Sequence, residues 1–181
     1  MNFPNVLLKC AAATLCAVSL ASCSGQGLLA PSAPDLNKQF KLTARVTDGD
    51  SSFTADFTRT GVGKWQVTVT EPYEVQGVCF TYSGGTASAG FGELTADALT
   101  ADFSASPPAL MISAFEDALQ DKAPSVTYQQ DALTLQSGDC IITFQQGAPT
   151  ALKLPGLTAE ITGFAVTGEI SPGGVDVILV E

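Results

Sequence analysis

The stretch Phe40-Lys-Leu-Thr-Ala-Arg-Val-Thr-Asp-Gly-Asp-Ser-Ser-Phe-Thr-Ala-Asp-Phe57 decides the fold of this chain. Phe40, Leu42, Ala44 and Val46 alternate with Lys41, Thr43, Arg45 and Thr47. Phe53, Ala55 and Phe57 then alternate with Thr54 and Asp56, after an Asp48-Gly49-Asp50 turn. Successive side chains of a strand point to opposite faces, so this period of two predicts a hairpin with one apolar and one polar face. Clean alternation of this kind belongs to antiparallel strands with a single buried face.

The pattern continues outward in both directions. Gly61-Val62-Gly63 makes a second turn before Trp65, Val67 and Val69, and Pro72 closes that strand. Val78, Phe80 and Tyr82 follow, ended by Gly84-Gly85. The segment 94–105 is ambiguous and reads as a loop or a short helix. One clear helix is expected from Pro107 to Asp121, with Ser106 as N-cap, Pro107 in the first turn and Pro124 beyond the end. At 100° per residue, Leu110, Met111, Ile112, Ala114, Phe115, Ala118 and Leu119 share one side. Ser113, Glu116, Asp117 and Gln120 share the other and read as the wet face. The apolar arc is wider than the usual surface stripe, so the helix should sit in a concave surface. Strand patterns resume at Val126/Tyr128, Leu133/Leu135, Ile142/Phe144, Leu152/Leu154 and Leu157/Ala159/Ile161. Gly163 shifts the phase to Phe164/Val166, which predicts a bulge, and a last strand is expected near Val175–Val180. The expected architecture is α+β: a large curled antiparallel sheet, or half-barrel, with one main helix against its concave apolar face.

The N-terminus reads as an address. In residues 1–22, Lys9 is the only charge, and Ala11, Ala12, Ala13, Leu15, Val18 and Leu20 form an apolar run too short to span a bilayer. It ends in Leu20-Ala21-Ser22-Cys23, which resembles the bacterial lipobox. That resemblance implies a signal peptide over 1–22 and a diacylglyceryl group on Cys23. Two acyl chains suffice for stable anchoring. Residues 23–38 are rich in small residues and proline and read as a tether, leaving 39–181 as a single domain. The implied location is the bacterial cell envelope, outside the cytoplasm and anchored to a membrane by lipid.

Composition excludes several functions. With 8 Lys+Arg against 18 Asp+Glu, the chain carries a formal net charge of −10, which repels nucleic-acid backbones. It has no histidine, so the usual general base and the commonest transition-metal ligand are missing. Of five cysteines, Cys10 and Cys16 fall in the signal and Cys23 in the lipobox. Cys79 and Cys140 remain, and export permits a bridge between them. Their parities conflict, because Cys79 lies opposite Phe80 whereas Cys140 shares the phase of Ile142 and Phe144. A bulge near Gly77 or Gly138 would reconcile them, so bonded and free forms both stay open.

The lipobox, the tether and the curled sheet around a helix together resemble the lipoprotein-carrier superfamily. That group includes outer-membrane lipoprotein carriers and receptors, mycobacterial lipid-transfer lipoproteins and clostridial germination lipoproteins. Local likenesses are Phe53-Thr-Ala-Asp-Phe57, Trp65 leading a strand that ends at Pro72, and Gly147-Ala148-Pro149 before a Leu-rich strand. The resemblance implies an apolar concave face that holds acyl chains or packs on helices. Its lining is expected from Phe40, Leu42, Phe53, Phe57, Trp65, Val67, Val69, Phe80 and Tyr82, faced by Leu110, Met111 and Phe115. Plain core packing accounts for the same residues more simply, because every sheet needs a buried face and the helix could fill it. One departure is the Pro- and Gly-rich segment before Phe40, where the family has an amphipathic helix.

Catalytic patterns are weak. Asp48-Gly49-Asp50 lacks the spaced oxygen ligands of a calcium loop and reads as a turn. Gly85-Thr-Ala-Ser-Ala-Gly90 misses the nucleophile-elbow spacing and reads as a turn with a small-residue strand. Eighteen scattered acids offer no specific carboxylate pair. No cofactor or metal is implied. The reading is a non-catalytic envelope lipoprotein that binds an acyl chain or lipid, or alternatively a filled-core module that regulates or scaffolds an envelope enzyme.

Overall fold

The computed structural model describes residues 36–96, 105–129 and 131–170. The expected signal over 1–22, the lipobox Cys23, most of the tether and the strand expected at Val175–Val180 lie outside these residues. The alternation around Phe40 builds β1 (Lys38–Asp48) and β2 (Ser51–Gly61), paired antiparallel with Leu42 facing Phe57 and Ala44 facing Ala55. The chain then meanders through β3 (Lys64–Glu71), β4 (Cys79–Ser83), β5 (Thr86–Phe91) and β6 (Leu94–Ala96). A 3-10 turn over Tyr73–Val75 joins β3 to β4. Helix α1 spans Pro107–Gln120. A second meander follows: β7 (Ser125–Gln129), β8 (Ala132–Ser137), β9 (Cys140–Gln145), β10 (Ala148–Leu154) and β11 (Leu157–Glu169).

These strands form a large, curled, unclosed antiparallel sheet in the order β6-β5-β4-β3-β2-β1-β11-β10-β9-β8-β7. The topology explains the helix. Among the described strands β6 and β7 are the two edges, and α1, which lies between them in the chain, crosses one face of the sheet. The apolar face is the one that a helix with an apolar side can cross. α1 accordingly packs over β1 and β8. The buried core joins Leu42, Phe57, Val67, Leu133, Ile142, Phe144 and Leu152 from the sheet to Met111, Ile112, Phe115 and Ala118 from the helix.

The turns follow their residues. Gly84 and Gly85 both have positive φ (57° and 83°), which a two-residue hairpin loop of matching twist requires at both positions. The phase change at Gly163 is a bulge: Thr43 faces Gly163 but Ala44 faces Ile161, leaving Thr162 unpaired. Gly163 also lies against Thr43, whose Oγ1 is 3.5 Å from where a Cβ would stand. Two expectations change. Leu94–Ala96 is a short strand at the sheet edge, whereas the sequence reads as loop or helix there. Leu36, the first described residue, is buried, although it falls within the stretch read as tether.

Candidate functional site

The centre of the concave face is organised by a charge that the apolar alternation conceals. Arg59 follows Phe53, Ala55 and Phe57 in the inward phase of β2, between Phe40 on β1 and Trp65 on β3. Its side chain is buried, and Glu116 descends on it from α1. Arg59 Nε donates to Glu116 Oε1 at 2.7 Å and Nη2 donates to Oε2 at 3.2 Å, a bidentate fork. Trp65 Nε1 donates to the same Oε1 at 2.7 Å. Arg59 Nη1 donates to the carbonyls of Leu36 at 3.2 Å and Lys38 at 3.1 Å. One guanidinium therefore ties the helix to the point where the chain enters the domain. It also lies over the Phe40 ring, 5.9 Å from the centroid.

The electrostatics follow from the geometry. Burial alone would raise the pKa of Glu116. Hydrogen bonds from Arg59 and Trp65, the Arg59 charge and the Gly63 backbone outweigh it and hold the carboxyl below its usual range. A buried pair gains little net stability over an apolar replacement, but losing one member leaves an uncompensated charge. The pair therefore allows one helix placement and penalises others.

Aromatic rings fill the space around this clamp. Phe40 and Trp65 meet edge to face with centroids 5.4 Å apart. Phe115 stands 6.2 Å from Phe40 and 6.0 Å from Trp65. Phe164, set inward by the bulge, lies 5.4 Å from Phe40. Of the residues expected to line the face, Phe40, Leu42, Phe57, Trp65, Val67, Val69, Met111 and Phe115 are buried. Phe53, Phe80 and Tyr82 are partly buried against them. Burial pushes the Tyr82 phenol up to about 12, opposed by the hydroxyl of Ser106. Ser106 occupies the N-cap position of α1, yet its side chain makes no cap hydrogen bond.

Two expectations about the helix are corrected together. Leu110 falls on the expected apolar side but is 38% exposed, whereas Glu116 falls on the expected wet side but is 8% exposed. At 100° per residue the two lie about 120° apart on the wheel. The attraction of Glu116 to Arg59 and Trp65 turns the buried arc toward the carboxylate and lifts Leu110 out. The residue that the sequence reading misses is Arg59. Its signal is a cation in the inward phase of an otherwise apolar strand, together with an acid on the facing helix.

Of the two forms left open for Cys79 and Cys140, the structure has the free one: both are free thiols. β4 and β9 stand six strand positions apart, about 29 Å along the sheet at ~4.8 Å per step. No bulge reconciles their faces. Gln66 Nε2 donates to Cys79 Sγ at 3.3 Å on the polar side, while Cys140 is buried on the apolar side. Burial and the Asp117 charge push the Cys140 thiol up to about 11.

Two open clefts lie elsewhere. One, of about 490 Å³, is lined by Arg45, Phe53, Thr54, Glu71 and Tyr73 beside Pro72. The other, of about 470 Å³, lies on the polar face among Lys41, Thr43, Asp56, Gln66, Thr68 and Ala165. Each cleft holds a single carboxylate, Glu71 or Asp56. Among the described residues, no three His, Cys, Asp or Glu side chains gather as a metal site would need.

No protein-family model and no curated protein matches this chain. Solved structures are similar at low identity. An uncharacterized conserved protein from Thermus thermophilus aligns at 9% identity and TM-score 0.45, covering 74% of this chain and 82% of that one. A LolA superfamily protein from Nitrosomonas europaea aligns at 11% identity and TM-score 0.40, covering 76% and 90%. A chain from the structure of the CwlD amidase of Clostridioides difficile in complex with the GerS lipoprotein aligns at 14% identity and TM-score 0.36, covering 74% and 85%. Scores this low add no weight to a functional assignment.

Proposed function

We propose that this protein is a lipid-anchored binding module of the bacterial cell envelope that acts by contact with a protein partner rather than by catalysis. Residues 1–22 serve as export signal, Cys23 carries the lipid, and the segment after it tethers to the membrane a folded domain that includes Leu36 and Lys38. The supporting observation is the occupied bowl. α1 is held by Arg59 and Trp65, and Phe40, Trp65 and Phe115 fill the space beneath it. An acyl chain entering there has to displace packed rings and break a buried ion pair. That penalty offsets the ~0.8 kcal/mol gained per buried CH₂.

A second reading keeps the lipid ligand but moves it. The inward phase continues beyond the helix to Phe91 and Leu94, which are 52% and 74% exposed. An acyl chain lying along β4 to β6 would use them. Titration of the purified full chain with cis-parinaric acid, read through the single Trp65, tests the choice. Protein contact with a pinned helix predicts no saturable quenching. Saturable quenching replaces that reading with lipid carriage. Labelling cells with an alkyne-bearing palmitate tests the anchor, and Cys23→Ala should abolish the label.

A further inference from the structure

Among the described strands the sheet ends at β7, and that edge carries the features of a docking strand. All five residues of Ser125-Val-Thr-Tyr-Gln129 are exposed. Gln129 faces Ala132 across a two-residue turn, and Thr127 and Ser125 face Thr134 and Gln136. In such a hairpin these three residues direct their backbone N–H and C=O groups at β8. Val126 and Tyr128 direct theirs the other way, where no described strand pairs with them. Their side chains share the apolar phase of Leu135 and Leu133 and are 42% and 49% exposed. Natural edge strands are usually blunted by charge, proline or a bulge. Between Ser125 and Gln129 there is none of these.

Charge selects the occupant. Asp131 lies in the turn at one end of β7. At the other end Asp121 accepts a hydrogen bond from Ser137 at 2.6 Å, and Asp139 sits in the next turn. Lys122 is the one cation in the sequence between Asp121 and Asp139. A second copy would bring the same acids, on a chain of net charge −10, against these. We propose that β7 accepts an extended strand of about five residues from a basic partner protein. Small apolar or β-branched side chains of that strand would alternate along the inner face, with Lys or Arg flanking it to meet Asp131 and Asp121. The inference rests on the protein-contact reading and names the surface that carries it.

The test uses the full chain in detergent micelles and two fluorescein-labelled peptides, Lys-Thr-Val-Thr-Val-Thr-Lys and its counterpart with Glu at both ends. Anisotropy should show saturable binding of the basic peptide, weakened by salt, and about tenfold weaker binding of the acidic one. Val126→Pro removes an outward N–H without touching the β8 ladder and should weaken binding about tenfold. Thr127→Lys places a cation on the edge from the polar face and should do the same, so that a folding defect in one variant leaves the other informative. Circular dichroism and the urea midpoint monitor folding. Equal binding of the two peptides, indifference to both variants, or no saturable binding overturns the inference. So does a concentration-dependent dimer in sedimentation that Thr127→Lys abolishes, since the occupant is then a second copy. Failed peptide binding without quenching by cis-parinaric acid removes this surface alone, whereas failed binding with saturable quenching removes the protein-contact reading as well.

Discussion

Replacing Arg59 by Met removes the two hydrogen bonds to Glu116 and the two to the Leu36 and Lys38 carbonyls. The Glu116 carboxylate is then left buried with the Trp65 indole and the Gly63 backbone as partners. Breaking a buried pair by removing one member costs about 3–5 kcal/mol. A domain of this size has roughly 5–15 kcal/mol in total, so the variant should be severely weakened. At about 2–4 °C per kcal/mol, the melting temperature should fall by roughly 6–20 °C. Glu116→Leu should cost a similar amount, because it strands the guanidinium. The double variant Arg59→Met/Glu116→Leu removes both charges, leaving the Trp65 N–H and two carbonyls to repair at about 1–3 kcal/mol. Urea unfolding followed by Trp65 emission measures all four proteins, and the coupling energy of the cycle should be at least about 3 kcal/mol. If the single variants lose less than ~1 kcal/mol, or if their losses add to within ~0.5 kcal/mol, Arg59 and Glu116 do not hold the helix as described.

Because the folded pKa of Glu116 lies below its ordinary 4.5, the pair contributes fully above that value and is lost as pH falls through the lowered one. The stability difference between wild type and Glu116→Gln should therefore be constant from neutral pH down to about 5 and shrink in more acidic solution, which urea midpoints across pH will show. Leu110→Asn should change stability by less than ~0.5 kcal/mol, whereas Met111→Ala should lose about 2–5 kcal/mol, because only Met111 is fully enclosed. Alkylation with iodoacetamide at pH 8 should modify Cys79 well before Cys140, whose thiol is buried with its pKa near 11. Mass spectrometry of the native domain should find both thiols reduced, and a mass lower by two hydrogen atoms would contradict the geometry. Gly85→Ala, at φ 83°, should weaken the β4–β5 hairpin by roughly 1 kcal/mol in the same urea assay.

The strands were legible because alternation is a local property. Phe40 to Val46 and Phe53 to Phe57 show which side faces inward without reference to any other part of the chain, and the bulge announces itself where Gly163 breaks the phase. The helix was legible for the same reason, through Pro107, Pro124 and an apolar arc. Its rotation was not, because rotation depends on what stands opposite. Leu110 and Glu116 exchanged roles once Arg59 and Trp65 came within 2.7 Å of the carboxylate. The exposed edge at β7 was equally hidden. Its five residues read as an ordinary strand, and only the sheet order reveals that one side of it has no neighbour among the described strands.

Residue order by itself determined the antiparallel α+β class, the inward and outward residues of the strands, and the acidic, histidine-free chemistry, since each depends on neighbours a few positions apart. Tertiary structure alone decided that Arg59 and Glu116 meet across 57 residues, that Cys79 and Cys140 stand on opposite faces of distant strands, and that β6 and β7 are the outermost described strands. A long-range contact depends on register, curl and crossover together, and no window of sequence carries all three.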